Sequence, residues 1–312
     1  GPPAAMIRRA PGGESGDQDM TDPSLRESAV RLYDDFTHEH RDRRTLLREM
    51  TALAGSAAAA EALIAAIGAS PAAAAITAPD DRRLLTQTVN ATAAGKPSIA
   101  YLARPKAGGR KLGTVMVIHE NRGLNDHIRD VARRIALAGF RAVAPDFLAP
   151  WGGTPADEDK ARDMIAKVDY DLVIAQGLAI LAEAKRGPET SGKGGVIGFC
   201  WGGALVNRLA VAGGKAIDAA VAYYGPAPAP AEAARVEAPI LLHYAGKDTR
   251  VAQTGEPWVA ALKAAGKKVE SFTYPGVDHA FNNDTSAERY DKAAADLAWG
   301  RSIAFLHKYL DG

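Results

Sequence analysis

Cys200 is the single cysteine in 312 residues, and it stands inside Gly198-Phe199-Cys200-Trp201-Gly202-Gly203. A short apolar run, Gly194 to Phe199, precedes it, and a helical run, Ala204 to Val211, follows. A reactive residue held in a tight strand-to-helix turn needs glycine neighbours, because side chains there would collide with the strand or the helix. The same turn places a helix N-terminus beneath the sulfur, which favours thiolate, the nucleophilic form. The hexapeptide alone leaves two readings open, an activated thiolate or a buried, inert cysteine.

Two further residues supply what a thiolate nucleophile needs. The apolar run Ala238 to Ala245 ends in Gly246-Lys247-Asp248, which puts Asp248 on a turn at a strand's C-terminal end. The alternating segment Val269 to Tyr274 leads through Pro275-Gly276-Val277-Asp278 to His279. Loops on one edge of a parallel sheet converge, so the order nucleophile, acid, base can build one site. At a free pKa of about 8.5 only a few per cent of a thiol is ionised at neutral pH, so a base is required. His279 can take the proton, and Asp248 can fix the imidazole tautomer. Each residue alone has an ordinary alternative, Asp248 as a turn former and His279 as a surface loop residue.

The elbow, the Gly246-Lys247-Asp248 turn, Asp278-His279-Ala280-Phe281 and the upstream His119-Glu120-Asn121-Arg122-Gly123 together resemble the dienelactone hydrolase (carboxymethylenebutenolidase) family, from about Leu85 to Leu310. The resemblance implies an α/β-hydrolase fold with Cys200 as nucleophile, His279 as base and Asp248 as its orienter. It implies that Glu120 lies beside the resting cysteine, and that the backbone N–H groups of Trp201 and Asn121 form an oxyanion hole. One position departs from the family. Where its dienelactone-cleaving members carry a carboxylate-gripping arginine, four residues beyond the histidine, this chain has Asn283. An amide cannot supply a bidentate cationic fork, so neutral short-chain esters or lactones are expected to be cleaved at least as well as dienelactone. Arg122, Lys160 and Arg162 are the candidates to replace the missing cation, and Trp151 is a candidate for the pocket mouth. The plain alternative for Glu120 is a surface carboxylate paired with Arg122.

The elements that would position these residues read clearly from Leu84 onward. Strands are expected at 84–91, 97–103, 113–119, 141–145, 195–199, 219–224, 239–245 and 269–274, with helices at 126–138, 156–186, 201–212, 255–265 and 286–309. Repeated strand–helix units imply a mostly parallel sheet with helices on both faces, and residues 84–312 suffice for one such domain. Residues 1–22 read as disordered or tag-like, and 23–83 as a helical extension that opens at Ser24 with a capping-box-like Ser24-Leu25-Arg26-Glu27. The arginines around Arg43-Arg44, ahead of an alanine-rich stretch, resemble a Tat export signal. Arg48, Glu49 and Glu61 interrupt that stretch, and an amphipathic helix-turn-helix packed on the hydrolase is the favoured reading. His38 and His40 are read as solvated.

Composition narrows the function classes. The chain is 47% apolar and 24% charged with a net charge of +1, which carries no nucleic-acid footprint. A single cysteine excludes an internal disulfide and fits a reducing compartment. A cytoplasmic location is therefore expected, with Tat-type export as the alternative. No metal is expected, since His119-Glu120 lacks a second histidine four residues on. No cofactor is expected either: Gly187 to Gly194 imitates a phosphate loop but precedes a strand, and the elbow lacks the dinucleotide spacing. The expected partner is a small-molecule ester or lactone, with neither nucleic acid nor membrane, and the sequence is silent on oligomeric state. A non-catalytic or redox-sensing protein on the same fold is the alternative function.

Overall fold

The computed structural model describes residues 22–39, 41–68 and 75–312; the tag-like 1–21 and His40 lie outside them. All eight expected strands are present: β1 (Leu84–Ala93), β2 (Lys96–Pro105), β3 (Leu112–Ile118), β4 (Arg141–Asp146), β5 (Thr190–Phe199), β6 (Ala219–Tyr223), β7 (Ile240–Ala245) and β8 (Val269–Tyr274). They form one sheet in the order β1-β2-β4-β3-β5-β6-β7-β8. β1 and β2 pair antiparallel, β2 pairs antiparallel with β4, and every other neighbour is parallel. The central strands β6 and β7 expose no residue at all, as burial on both faces demands, whereas the edge strand β1 is exposed at most of its positions.

Nine helices are described. α1 (Pro23–His38), α2 (Arg43–Ala54) and α3 (Ala57–Ile67) precede the sheet. α4 (Asp126–Leu137) and α9 (Lys292–Leu310) cover one face, where Ile128, Val131, Phe305 and Leu306 join the core. α5 (Glu158–Ala166), α6 (Tyr170–Ala184), α7 (Trp201–Gly213) and α8 (Thr249–Ala264) cover the other, with Ile165, Val173, Leu205 and Trp258. This is an α/β-hydrolase architecture. β3 feeds β4 on one side and lies against β5 on the other, so the strand order reverses at β3. Such a switch point opens a crevice at the C-terminal strand ends. Glu120 follows β3 there and Cys200 follows β5.

Three helix boundaries differ from expectation, each because of an aspartate cap. The single helix expected over 156–186 is two, since Asp169 accepts from the N–H groups of Asp171 and Leu172 and starts α6 afresh. α8 begins at Thr249 instead of 255, capped by Asp248, and carries Pro257 inside. α9 begins at Lys292 instead of 286, capped by Asp291. At α1 the cap is Asp22, whose carboxylate accepts from Ser24 N–H at 2.9 Å; the Ser24–Glu27 capping box does not form the start.

The N-terminal helices pack as the amphipathic reading requires. Their shared core is Ala29, Val30, Tyr33, Phe36, Leu46, Met50, Leu63, Ile64 and Ile67. α2 and α3 meet at 109°, and among the described residues no single helix is long and apolar enough to cross a membrane. Gly55, at φ +88°, turns the chain between them, and Ser56 caps α3. The unit is fastened to the hydrolase body by Arg26–Glu288 at 2.9 Å, Lys247–Glu27 at 3.0 Å and Arg289–Asp34 at 3.0 Å. Ser286 Oγ also donates to the Ile67 carbonyl at 2.5 Å. Leu46→Ala, at a fully buried position, is expected to destabilise this unit by about 2–5 kcal/mol. Hydrogen exchange should accelerate across 23–67 while the strands keep their protection; unchanged exchange there would show that the helices carry no shared core.

Candidate active site

The elbow is a place where side chains cannot fit. Cys200 caps α7 at φ +58° and ψ −117°, a conformation that costs a non-glycine residue on the order of 1–3 kcal/mol and survives only where its surroundings over-determine it. They do so through close backbone approach. A Cβ on Gly198 would lie 2.2 Å from the Gly202 carbonyl oxygen, and one on Gly202 would lie 2.5 Å from the carbonyl oxygens of Ile118 and His119. Cys200 N–H donates to the Tyr223 carbonyl at 3.0 Å, and its own carbonyl accepts from Ala204 at 3.0 Å. The sulfur is thus pinned between β3, β5, β6 and α7.

The three sequence-expected residues meet. His279 Nε2 lies 3.2 Å from Cys200 Sγ, and His279 Nδ1 lies 2.5 Å from Asp248 Oδ2. The other Asp248 oxygen accepts from Val251 N–H at 3.1 Å, so the carboxylate is held from both sides while it caps α8. Burial alone would lower the pKa of His279, but the adjacent sulfur and the Asp248 carboxylate more than reverse that and raise it to about 10. Burial likewise pushes Asp248 up, and the charge and hydrogen bond of His279, with Val251 and Arg250, bring it below the ordinary value. The arrangement favours a proton on the imidazole, paired with the Asp248 carboxylate.

Glu120, Asn121 and Trp201 surround the sulfur. Glu120 is buried and lines a narrow cavity of about 20 Å³ with Cys200 and His279. Burial raises its pKa, partly offset by Arg122, Arg289 and Asn283. Its carboxylate accepts from Asn283 Nδ2 at 3.0 Å, and it is not the surface partner of Arg122. Arg122 instead bonds the Tyr33 hydroxyl and lies 3.6 Å from Glu158. Asn283 spends its amide oxygen on Thr285, at 2.9 and 2.6 Å. With both ends engaged, Asn283 holds Glu120 in place. Trp201 opens α7, where backbone N–H groups have no intrahelical acceptor, and its ring donates to Tyr170 Oη at 3.0 Å. Trp151 is 42% exposed and lines no cavity beside Cys200, so it does not form the expected pocket mouth. Lys160 is likewise absent from those walls.

Several site residues had no role assigned from the sequence. His119 is fully buried: its Nε2 accepts from Phe147 N–H at 3.1 Å, which leaves Nδ1 to donate to the Glu120 carbonyl at 2.8 Å. Its ring stacks on Trp201 at 5.2 Å and 8°. A histidine at the end of an otherwise apolar strand was the signal available for it. A second cavity beside Cys200, of about 260 Å³, is lined by Asn121, Tyr170, Arg162, Arg208 and Arg250 among others, with no carboxylate in its wall. Arg162 was a sequence candidate, whereas Arg208 and Arg250 had no pattern to mark them. Thr37 and His38, from α1, line both cavities. His38 is therefore no solvated helix residue; its ring meets that of His279 edge-on at 4.7 Å. Larger clefts of about 360 and 390 Å³ exist near His127 and Lys247, but Cys200 borders neither.

Known proteins resemble this chain over most of its length. The sequence profile of the dienelactone hydrolase family matches residues 99–310. The chain is 34% identical over 224 residues to a putative carboxymethylenebutenolidase of Salmonella typhi, covering 67% of this chain and 82% of that one. It is 33% identical over 255 residues to another from Escherichia coli strain K12, covering 77% and 93%. The crystal structure of a putative dienelactone hydrolase from Klebsiella pneumoniae superposes with a TM-score of 0.67 at 30% identity, covering 72% of this chain and 99% of that one.

Proposed function

The chain belongs to the dienelactone hydrolase family, and from that premise we propose that it hydrolyses an ester or lactone through a Cys200–His279–Asp248 triad and a thioester intermediate. The observation that carries this is the imidazole of His279, poised 3.2 Å from Sγ and 2.5 Å from the Asp248 carboxylate. The thiol proton passes to Nε2 and the thiolate attacks the acyl carbon. The oxyanion forms against the N–H groups of Trp201 and Asn121, and its collapse expels the alcohol with the proton from Nε2. A water deprotonated by His279 then attacks the thioester, and the carboxylic acid leaves as the sulfur recovers. Cys200→Ala is expected to abolish turnover, and Cys200→Ser to leave a trace toward activated esters, because a hydroxyl is far less acidic than a thiol. Mass spectrometry after a single turnover with a p-nitrophenyl ester should find the acyl group on Cys200. More than a few per cent of wild-type turnover in purified Cys200→Ala would overturn the assignment.

The walls favour an anionic substrate, contrary to what Asn283 alone suggests. Three guanidinium groups, Arg162, Arg208 and Arg250, line the larger cavity, and Arg250 Nη2 is buried with no hydrogen-bond partner. A charge-assisted hydrogen bond contributes about 1.5–3 kcal/mol, or roughly 10- to 150-fold in discrimination. A lactone bearing a free carboxylate should therefore exceed its methyl ester in kcat/KM by at least about tenfold, and Arg250→Gln should shrink the ratio. Equal rates for the acid and its ester would remove the guanidinium groups from substrate binding.

His119 has a positioning role in this scheme. The Glu120 carbonyl and the Asn121 N–H belong to one peptide plane, so the bond from His119 Nδ1 to that carbonyl at 2.8 Å sets the direction of the N–H. The ring's stacking on Trp201 steadies the second donor. An asparagine amide reproduces the Nδ1 donor, and a glutamine amide reproduces the Nε2 acceptor instead. His119→Asn is thus expected to keep most of kcat, while His119→Gln loses on the order of 10- to 100-fold with KM little changed, within the range for a weakened oxyanion donor. Equal loss in both variants would reduce His119 to packing.

A further inference from the structure

The first three helices place a third chemical group beside the two that react. His38 is the last residue of α1, outside the region matched by the family profile. It enters the site because α1 is latched by Arg26, Tyr33 and Asp34 to the loops around Glu288, Arg122 and Arg289. A ring nitrogen of His38, Cys200 Sγ and a ring nitrogen of His279 all lie within 4.8 Å of one another.

We propose that His38, Cys200 and His279 form an inhibitory site for a thiophilic divalent cation, of which Zn²⁺ is the best fit. One thiolate and two imidazoles are a borderline-soft donor set suited to zinc, and they lack the oxygens that calcium or magnesium requires. Ligands at zinc bond lengths in a tetrahedron lie about 3.3–3.6 Å apart. His279 and Cys200 already stand at 3.2 Å, and His38 lies within 4.8 Å of both, so an approach of no more than about 1.5 Å completes the set. The second nitrogen of His279 is bonded to Asp248 at 2.5 Å, the carboxylate–histidine arrangement that orients and strengthens metal-bound imidazoles. The fourth position opens to the cavity that His38 and Cys200 line, leaving room for water. The guanidinium groups around the cavity oppose any dication held by charge alone, which leaves bonding to sulfur as the source of affinity and excludes hard cations.

Binding would replace the proton shared by Sγ and Nε2, which departs to solvent, and would occupy the lone pairs of both groups. It would also tie α1 to the elbow. Metal binding stands on this geometry alone, whereas its inhibitory effect rests on the proposed triad.

The test uses the full chain with Zn²⁺ and Co²⁺ as probes. Equilibrium competition with a fluorescent zinc chelator should show one Zn²⁺ per chain, and Co²⁺ should give the near-ultraviolet charge-transfer absorption of a thiolate ligand. His38→Gln is expected to weaken zinc by at least about 30-fold, no less than the usual loss for an outer-shell partner, and Cys200→Ser should abolish the cobalt absorption. His38→Asn, assayed in parallel with circular dichroism, guards against a variant whose α1 unravels. Inhibition of hydrolysis by zinc, normalised to each protein's own rate, should follow the same order and reverse with chelator. Zinc bound as tightly by folded His38→Gln as by the wild type, or cobalt bound without thiolate absorption, would overturn the site. Hydrolysis by Cys200→Ala would instead sink the triad and leave the metal result untouched.

Discussion

Everything at this site depends on Cys200 being held at positive φ with its sulfur forced outward. The cost is tolerable because the surrounding backbone leaves no alternative: β3 and α7 approach so closely at Gly202 that no Cβ fits between them, and β5 meets α7 in the same way at Gly198. Two other non-glycine residues at positive φ border the site, Tyr224 at 35° and Ala280 at 68°. Tyr224 follows β6 and its ring packs 4.9 Å from His279, while Ala280 follows His279 directly. Strain is therefore shared among the loops that carry the sulfur, support the imidazole and hold the imidazole itself. Such local strain persists only when the body is rigid, and the fully buried strands β6 and β7 provide that rigidity.

Burial then sets the electrostatics. Taken out of water, a carboxyl tends toward neutrality and an imidazole loses its proton. His127 follows that rule, pushed down to about 3 by burial and by Arg134 and Arg122, and Glu120 is raised by burial. His279 and Asp248 break it: the adjacent sulfur and the Asp248 carboxylate raise His279, and the charge and hydrogen bond of His279 lower Asp248. The surroundings of Cys200 are cationic. The N-terminus of α7 lies beneath it, and its two cavities carry five arginines between them, with Glu120 the one carboxylate in their walls. A site of this charge suits the oxyanion that the proposed reaction forms.

The parts of the molecule legible in the sequence were those with a local physical signature. Apolar runs marked the central strands, and Cys200, Asp248 and His279 were found because each lies in the turn or loop that follows such a strand. The helix ends at Asp169, Asp248 and Asp291 were misread because an aspartate inside a polar stretch signals a cap only when the next turn is known to be helical. The contacts of Asn283 were missed for a different reason. Its type gave the loss of a cation correctly, but its engagement with Glu120 and Thr285 is a property of the 280–291 loop folding back on the site. Arg208 lies on α7 and Arg250 on α8, and only the packing of these helices brings them to one cavity. His38 shows the same limit: spacing within a helix says which residues share a face, not what that face will meet.

The N-terminal helices are therefore part of the site's construction. Three chain segments at the site, those bearing Asp248, His279 and Glu120, are fastened to α1 close to those residues. Lys247, preceding Asp248, binds Glu27; Asp278, preceding His279, lies 3.6 Å from Arg26; and Arg122, two residues past Glu120, binds Tyr33. Exposed ion pairs of this kind contribute little individually, about 0–1 kcal/mol. Their number does not make the attachment strong. Its strength comes from the Tyr33 and Phe36 rings, which are buried and lie under the guanidinium groups of Arg289 and Arg162 at 5.2 and 4.2 Å. Arg162 is in this way both a wall of the larger cavity and an anchor for α1. Any displacement of α1 would move that cation, Thr37 and His38 together, and so alter the charge, volume and proton-carrying groups of the cavity in a single step.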